Sequence, residues 1–184
     1  MKELSLNILD IAQNSIRARA TEVEIVLRED PETLLIQITD NGCGMKAEFL
    51  RRVTDPFSTT RTTRKVGLGL PFFKMEAEMT GGSLEISSKS EEEYADHGTV
   101  VCARFFKNHI DYIPLGNIID TVCTLIHGAE NVDFLFLHEY GEKTVTLSTR
   151  EMRETLGEEI PLSSPEVLAW AREYLEEEYS VLYT

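Results

Sequence analysis

The stretch "TLLIQITDNGCGM", residues 33–45, sets a strand against an acid and two glycines. Leu34, Ile36, Ile38 and Asp40 recur at period two and therefore share one side of a strand. That parity aims the Asp40 carboxylate at the core side of a sheet, where an unpaired charge is costly and needs a hydrogen-bond donor. One reading is local: an Asp at a strand end takes the N–H groups of a turn, helped here by Asn41-Gly42. The other is a ligand site. Gly42 and Gly44 remove side chains, so a flat ligand could lie against the backbone and give the carboxylate an exocyclic amine to accept from. Cys43 reads most simply as a small packed residue. With Cys102 and Cys123 far along the chain, it suggests neither a metal cluster nor a disulfide framework, and a reducing cytoplasm is expected.

Outward from this stretch, periodicity sets the neighbours. Residues 4–19 read as a helix, with Leu4, Ile8, Ile11 or Ala12, and Ile16 at helical spacing. "EVEIVLR" alternates Val23, Ile25 and Leu27 as a strand, and the turn "EDPE" joins it to the opening stretch. A short helix is expected over 46–53, an unpatterned Thr/Arg-rich loop over 54–66 and a helix over 68–79, closed by Gly81-Gly82. "SLEISS" and "GTVVCARFF" follow as strands around an acidic turn. Beyond residue 108 the pattern is helix, two strands, short helix, long helix, a small α+β appendage expected to dock on the first part. Ser163 to Glu166 fits a capping box at the last helix, with Pro165 in its first turn. Trp170, Tyr174 and Leu175 of that helix are expected in the core.

Composition is that of an ordinary globular chain of 184 residues, 42% hydrophobic and 27% charged. No segment reaches the roughly 18 apolar residues of a membrane span, and the start has no apolar run with a cleavage site, so neither membrane nor export is expected. The net charge of −14 is uneven, −3 over residues 1–107 and −11 over 108–184. So acidic a chain repels a phosphate backbone, which argues against nucleic-acid binding. The acidic tail is read as a solvated surface before it is read as a partner site.

Two further stretches carry chemistry. On the first helix Asn7, Asp10, Asn14 and Arg17 are spaced 3, 4 and 3 and line one side. An acid and an amide one turn apart suit a metal ion or a water, although a solvent-facing stripe is the commoner case. In "PFSTTRTTRKVGLGLPFF", residues 56–73, Gly67 and Gly69 precede a helix whose free N–H groups suit an anion, and Arg61, Arg64 and Lys65 add positive charge. Alone, each signal is weak.

In this order and spacing the three stretches resemble the GHKL, or Bergerat-fold, ATP-binding domain of gyrase B, the heat-shock chaperone, sensor histidine kinases and MutL-type mismatch-repair ATPases. "DNGCGM" resembles the first glycine box, "PFSTT…GLGL" the lid and second box, and "MTGGSLEISSKS…HGTVVCARF" the closing part of a kinase-type domain. The resemblance spans roughly residues 1–107, leaves 108–184 as an extension without a match, and looks like a stand-alone bacterial member. It implies an α+β fold, a two-layer α/β sandwich with a mixed, largely antiparallel sheet under one layer of helices. It also implies Asn14 as Mg²⁺ ligand and Asp40 on the adenine amine, beside Gly42, Gly44, Met45 and Thr99. Lys65, Gly67, Leu68 and Gly69 would then serve the phosphates of ATP, with Arg17 where histidine kinases carry a phosphate-approaching Lys. Hydrolysing members carry a Glu one turn before the metal Asn. Here Asp10 stands there, one methylene shorter, so slow hydrolysis is expected. The second box departs too, with Lys65 and Val66 where a Gly and a Thr usually stand.

Three functions follow from the resemblance: a slow ATPase whose nucleotide state switches binding of a protein partner, a protein kinase of the histidine or anti-sigma serine type acting on a separate partner, and an ATP-binding module without turnover. With three residues before the first helix, no phosphoacceptor hairpin is expected ahead of it. His138-Glu139, at the end of the apolar run "VDFLFL", is not expected to be a phosphoacceptor, and His97, His109 and His127 are assigned surface or packing roles.

Overall fold

The computed structural model describes residues 3–55, 68–157 and 159–184. Its first helix, α1 (Leu4–Arg17), buries Leu4, Ile8, Ile11 and Ala12, and just beyond it Arg19 takes a left-handed φ of 65° uncommon outside glycine. Two strands follow as a hairpin: β1 (Glu22–Glu29) and β2 (Thr33–Asp40), antiparallel with Val23 opposite Asp40 and Leu27 opposite Ile36. After the short α2 (Ala47–Leu50) come α3 (Gly69–Met79), β3 (Ser83–Lys89) and β4 (Gly98–Phe106). β4 lies beside β2 and places Thr99 opposite Asp40, while β3 places Ser88 opposite Thr99. The chain then forms α4 (Ile118–Gly128), β5 (Asp133–Tyr140), β6 (Lys143–Ser148), α5 (Thr149–Leu156) and α6 (Pro165–Leu182).

One mixed sheet results, in the order β3-β4-β2-β1-β5-β6, antiparallel except where β5 runs parallel to β1 from Glu22–Asp133 to Glu29–Tyr140. The helix layer follows the strands: α3 packs on α1, α1 on α4, and α4 on α6, which reaches β6. Inward strand residues alternate as their sequences require, with Ile25, Leu27, Leu34, Ile36, Ile38, Ala103, Phe105, Phe136 and Leu147 all buried in one core with the helices. Val26, of opposite parity, is buried as well, as befits a strand with neighbours on both sides. The other face bears Glu24, Arg28 and Gln37, where Arg28 Nε meets Glu139 Oε2 at 2.9 Å.

Residues beyond 107 therefore continue the sheet. They also close the start of α1: the orphan N–H groups of Leu4 and Ser5 donate to the carbonyls of Pro114 and Leu115 at 3.0 and 2.8 Å. Asn117 caps α4 by accepting from the Asp120 N–H, and Ser148 caps α5 by accepting from that of Glu151. Two expectations for the last helix are corrected. Ser163 does not form a capping box, because its hydroxyl bonds Glu130 across the chain and the N-cap is Ser164, without a side-chain cap. Leu175 is buried, but Trp170 is 52% exposed and stacks on Tyr174, because the buried stripe runs through Val167, Ala171 and Leu175.

Candidate functional site

At the α1 end of β2 the Asp40 carboxylate finds the donors its burial requires. Ser15 Oγ donates to Oδ2 at 2.6 Å, and the Gly42 N–H donates to Oδ1 at 2.9 Å. Each oxygen keeps a lone pair. Thr99 stands opposite on β4, its hydroxyl 2.8 Å from Ser88 Oγ, which in turn donates to the Gly98 carbonyl at 3.0 Å and accepts from the Met45 N–H at 2.8 Å. Asp40, Gly42, Met45 and Thr99 are thus brought to one strand-end cluster. Close packing explains two of the glycines. Gly44 has φ +65° and a Cβ there would lie 1.8 Å from the Lys89 carbonyl oxygen. Gly98, at φ +143°, would put a Cβ 2.0 Å from that of Asp40.

The polar stripe of α1 divides along its length. Asn7 is fully buried and donates through Nδ2 to the buried Glu76 of α3, while its Oδ1 has no partner among the described residues. One turn on, the Asp10 carboxylate lies against the first residue of α3, so close that a Cβ on Gly69 would sit 1.8 Å from Oδ2. Asn14 follows, partly exposed, its Oδ1 accepting from Arg17 Nη1 at 2.9 Å. Asp10 and Gly69 are therefore neighbours, and Asn14 and Arg17 form a pair. Leu68 sits at the N-cap of α3, 49% exposed. Lys65 and Gly67, with Arg61 and Arg64, lie outside the described residues.

Three residues at the Asp40 cluster escaped the sequence reading of the site. Ser88 was visible by parity, sharing a side with Leu84 and Ile86 and facing Thr99 across the strand pair. Ser15 adjoins Asn14 but needed the α1–β2 crossing to reveal its bond to Asp40. His97, read as a surface or packing residue, places Nδ1 2.6 Å from the Gly42 carbonyl oxygen. His138, by contrast, is fully buried at the far end of the sheet, with Nε2 2.9 Å from Glu29 and Nδ1 2.8 Å from the Tyr179 hydroxyl, so neither ring nitrogen is open to a phosphoryl group.

This is the architecture of an ATPase domain. The solved ATPase domain of MutL from Aquifex aeolicus, complexed with ADP, matches with a TM-score of 0.53 at 15% identity, over 85% of this chain and 69% of that one. The N-terminal domain of a DNA repair protein matches with a TM-score of 0.57 at 18% identity, over 80% and 53%. At such identities the likeness is one of fold. The sequence settles the family: residues 2–109 match the histidine kinase-, DNA gyrase B- and HSP90-like ATPases, and the chain belongs to that family. Among individual proteins, the DNA mismatch repair protein MutL of Beijerinckia indica is 32% identical over 97 residues, 51% of this chain and 15% of that protein. The sensor protein ChvG of Agrobacterium fabrum is 27% identical over 108 residues, 56% and 17%. The chain thus spans about a sixth of these relatives' length. Membership supports ATP binding. No helix of the described residues is long and apolar enough to cross a membrane.

Proposed function

We propose that the protein is a cytoplasmic, Mg²⁺-dependent ATP-binding switch that hydrolyses ATP slowly and changes its hold on a protein partner with nucleotide state. Residues 1–107 form its nucleotide domain and 108–184 an extension that braces it. The observation carrying this reading is the Asp40 carboxylate. It is fixed by Ser15 and the Gly42 N–H at a glycine-lined strand end, with an oxygen lone pair to spare for an adenine amine. A carboxylate accepts from that amine and repels the carbonyl that guanine carries in its place, so the site selects the base as well as binding it.

The phosphates would lie toward Gly69, where the N-terminus of α3 presents its free N–H groups. Mg²⁺ keeps several waters and takes one or two protein ligands with the phosphates. The residues present fit that habit. Asn14 Oδ1 already draws a cation, the Arg17 guanidinium, while no group of three His, Cys, Asp or Glu among the described residues would strip the ion of its water. Asn14 would hold it, and the ion would neutralise phosphate charge. Asp10, pressed on Gly69, is the base for the attacking water. A second reading, phosphoryl transfer to a separate partner, draws on the likeness to sensor proteins.

Single-turnover incubation with γ-labelled ATP and Mg²⁺ tests the proposal. Free phosphate from the wild type, absent in Asp10→Asn although ATP still binds, is the expected result. Label carried to an added protein would favour the kinase reading, and intact bound ATP would leave a binding module.

A further inference from the structure

The turn between β3 and β4, residues 90–97, holds the loop of Gly42 and Cys43 through side-chain and backbone hydrogen bonds. The imidazole of His97 places Nδ1 2.6 Å from the Gly42 carbonyl oxygen. A carbonyl only accepts, so Nδ1 carries the proton and donates. The Gly42 N–H donates to Asp40 Oδ1 at 2.9 Å. Gly42 is therefore held on both sides, by the carboxylate assigned to the base and by His97. The next residue is held likewise: the Cys43 N–H donates to the Ala18 carbonyl at 2.8 Å, and its carbonyl accepts from the Glu91 N–H at 2.9 Å. Each of these four backbone groups has one partner, and two of the four partners come from the turn.

Ion pairs support the same attachment from outside. Arg19 pairs with Glu91, and Lys46 with Glu92 at 2.6 Å. All four side chains are well exposed, so these pairs are worth little. The half-buried end of the latch is His97, and Gly98 behind it lets the chain pass against the Asp40 backbone.

We infer that His97 is a positioning residue of the base site: by fixing the Gly42 peptide it sets the aim of the Asp40 carboxylate before a nucleotide arrives. This rests on the assignment of Asp40 to adenine. If Gly42 were free to turn, its N–H would leave Asp40, and the ligand would have to order the loop on binding. The neutral ring with its proton on Nδ1 and the imidazolium both donate, so the latch depends on a donor at that place rather than on charge.

The full-length chain tests this with two variants. His97→Ala removes the donor, and His97→Asn restores one, because the carboxamide nitrogen stands where Nδ1 stood. Amide exchange of Gly42 and Cys43, followed by NMR without nucleotide, should quicken at least tenfold in the Ala variant. Its ATP affinity should fall about tenfold at an unchanged melting temperature, and the Asn variant should recover most of both. Unchanged exchange in His97→Ala would show that the contact does not hold the loop and would overturn the inference. Faster exchange with unchanged ATP affinity would also overturn it, making His97 a structural residue only. A wild type that binds no ATP would overturn the base-site assignment, and the positioning role with it, whatever the exchange rates.

Discussion

A methyl group added at residue 69 would meet the Asp10 carboxylate at 1.8 Å and its Cγ at 2.9 Å. The obstacle is the end of a short side chain, so Asp10 would swing aside instead of forcing the helices apart. Alanine also favours the helix by roughly 0.5–1 kcal/mol over glycine. Gly69→Ala should therefore keep unfolding free energy within about 1 kcal/mol of the wild type while single-turnover hydrolysis at saturating ATP drops more than tenfold. Undiminished hydrolysis in that variant would remove Asp10 from the role of base. At this scale Asp40 was legible because one parity rule fixes where its carboxylate points. The donors that satisfy it were not, since Ser15 lies 25 residues away in sequence and meets it only where α1 crosses β2.

Among the elements, the α1–α3 seam carries the Asn7–Glu76 pair beside Asp10 and Gly69. The stripe at spacing 3, 4 and 3 gave the right side of α1, but Asn7 turns into the seam and not toward a ligand, because Glu76 waits on α3. Nothing in the local pattern of α3 announces that partner. Asn7→Asp would set two carboxylates within hydrogen-bond reach in a site closed to water, a cost on the order of 3 kcal/mol. Burial and like charge raise the pKa of such a pair above the unfolded value. The folded variant would thus hold the extra proton, and its deficit should shrink as pH falls toward 4. Urea unfolding of both proteins across that range checks the sign, and a deficit that grows on acidification would contradict it. On α6, local patterning placed Leu175 correctly and Trp170 wrongly. The period of Val167, Ala171 and Leu175 turns residue 170 away from the core, and Trp170 finds its partner in Tyr174 along the same helix.

Over the whole molecule, the pairing of β5 with β1 joins segments about a hundred residues apart, which no local period reveals. The same junction holds a cluster distant from Asp40: Glu29 accepts from His138, Lys107 and the Tyr183 hydroxyl, linking β1 and the end of β4 to β5 and α6. Burial pushes the Glu29 carboxyl up, but these hydrogen bonds outweigh it and hold the group at about 2, below its ordinary value of 4.5. Burial likewise raises the Tyr183 and Tyr179 hydroxyls, keeping them protonated donors. A depressed folded pKa means that the stabilisation is complete above 4.5 and is lost as pH falls from there toward 2. It is worth on the order of 2–3 kcal/mol, and Glu29→Gln should be less stable near pH 7 and lack that part of the acid dependence. Equal acid dependence in the two proteins would show that the extension is not braced here. The proposed contact of Asp40 with adenine is tested by titration calorimetry with ATP and Mg²⁺ on the wild type and Asp40→Asn. Asparagine turns its oxygen to the Gly42 N–H and leaves an amide N–H₂ facing the base, so affinity should fall about tenfold to a hundredfold. The same isotherm from both proteins would contradict the assignment.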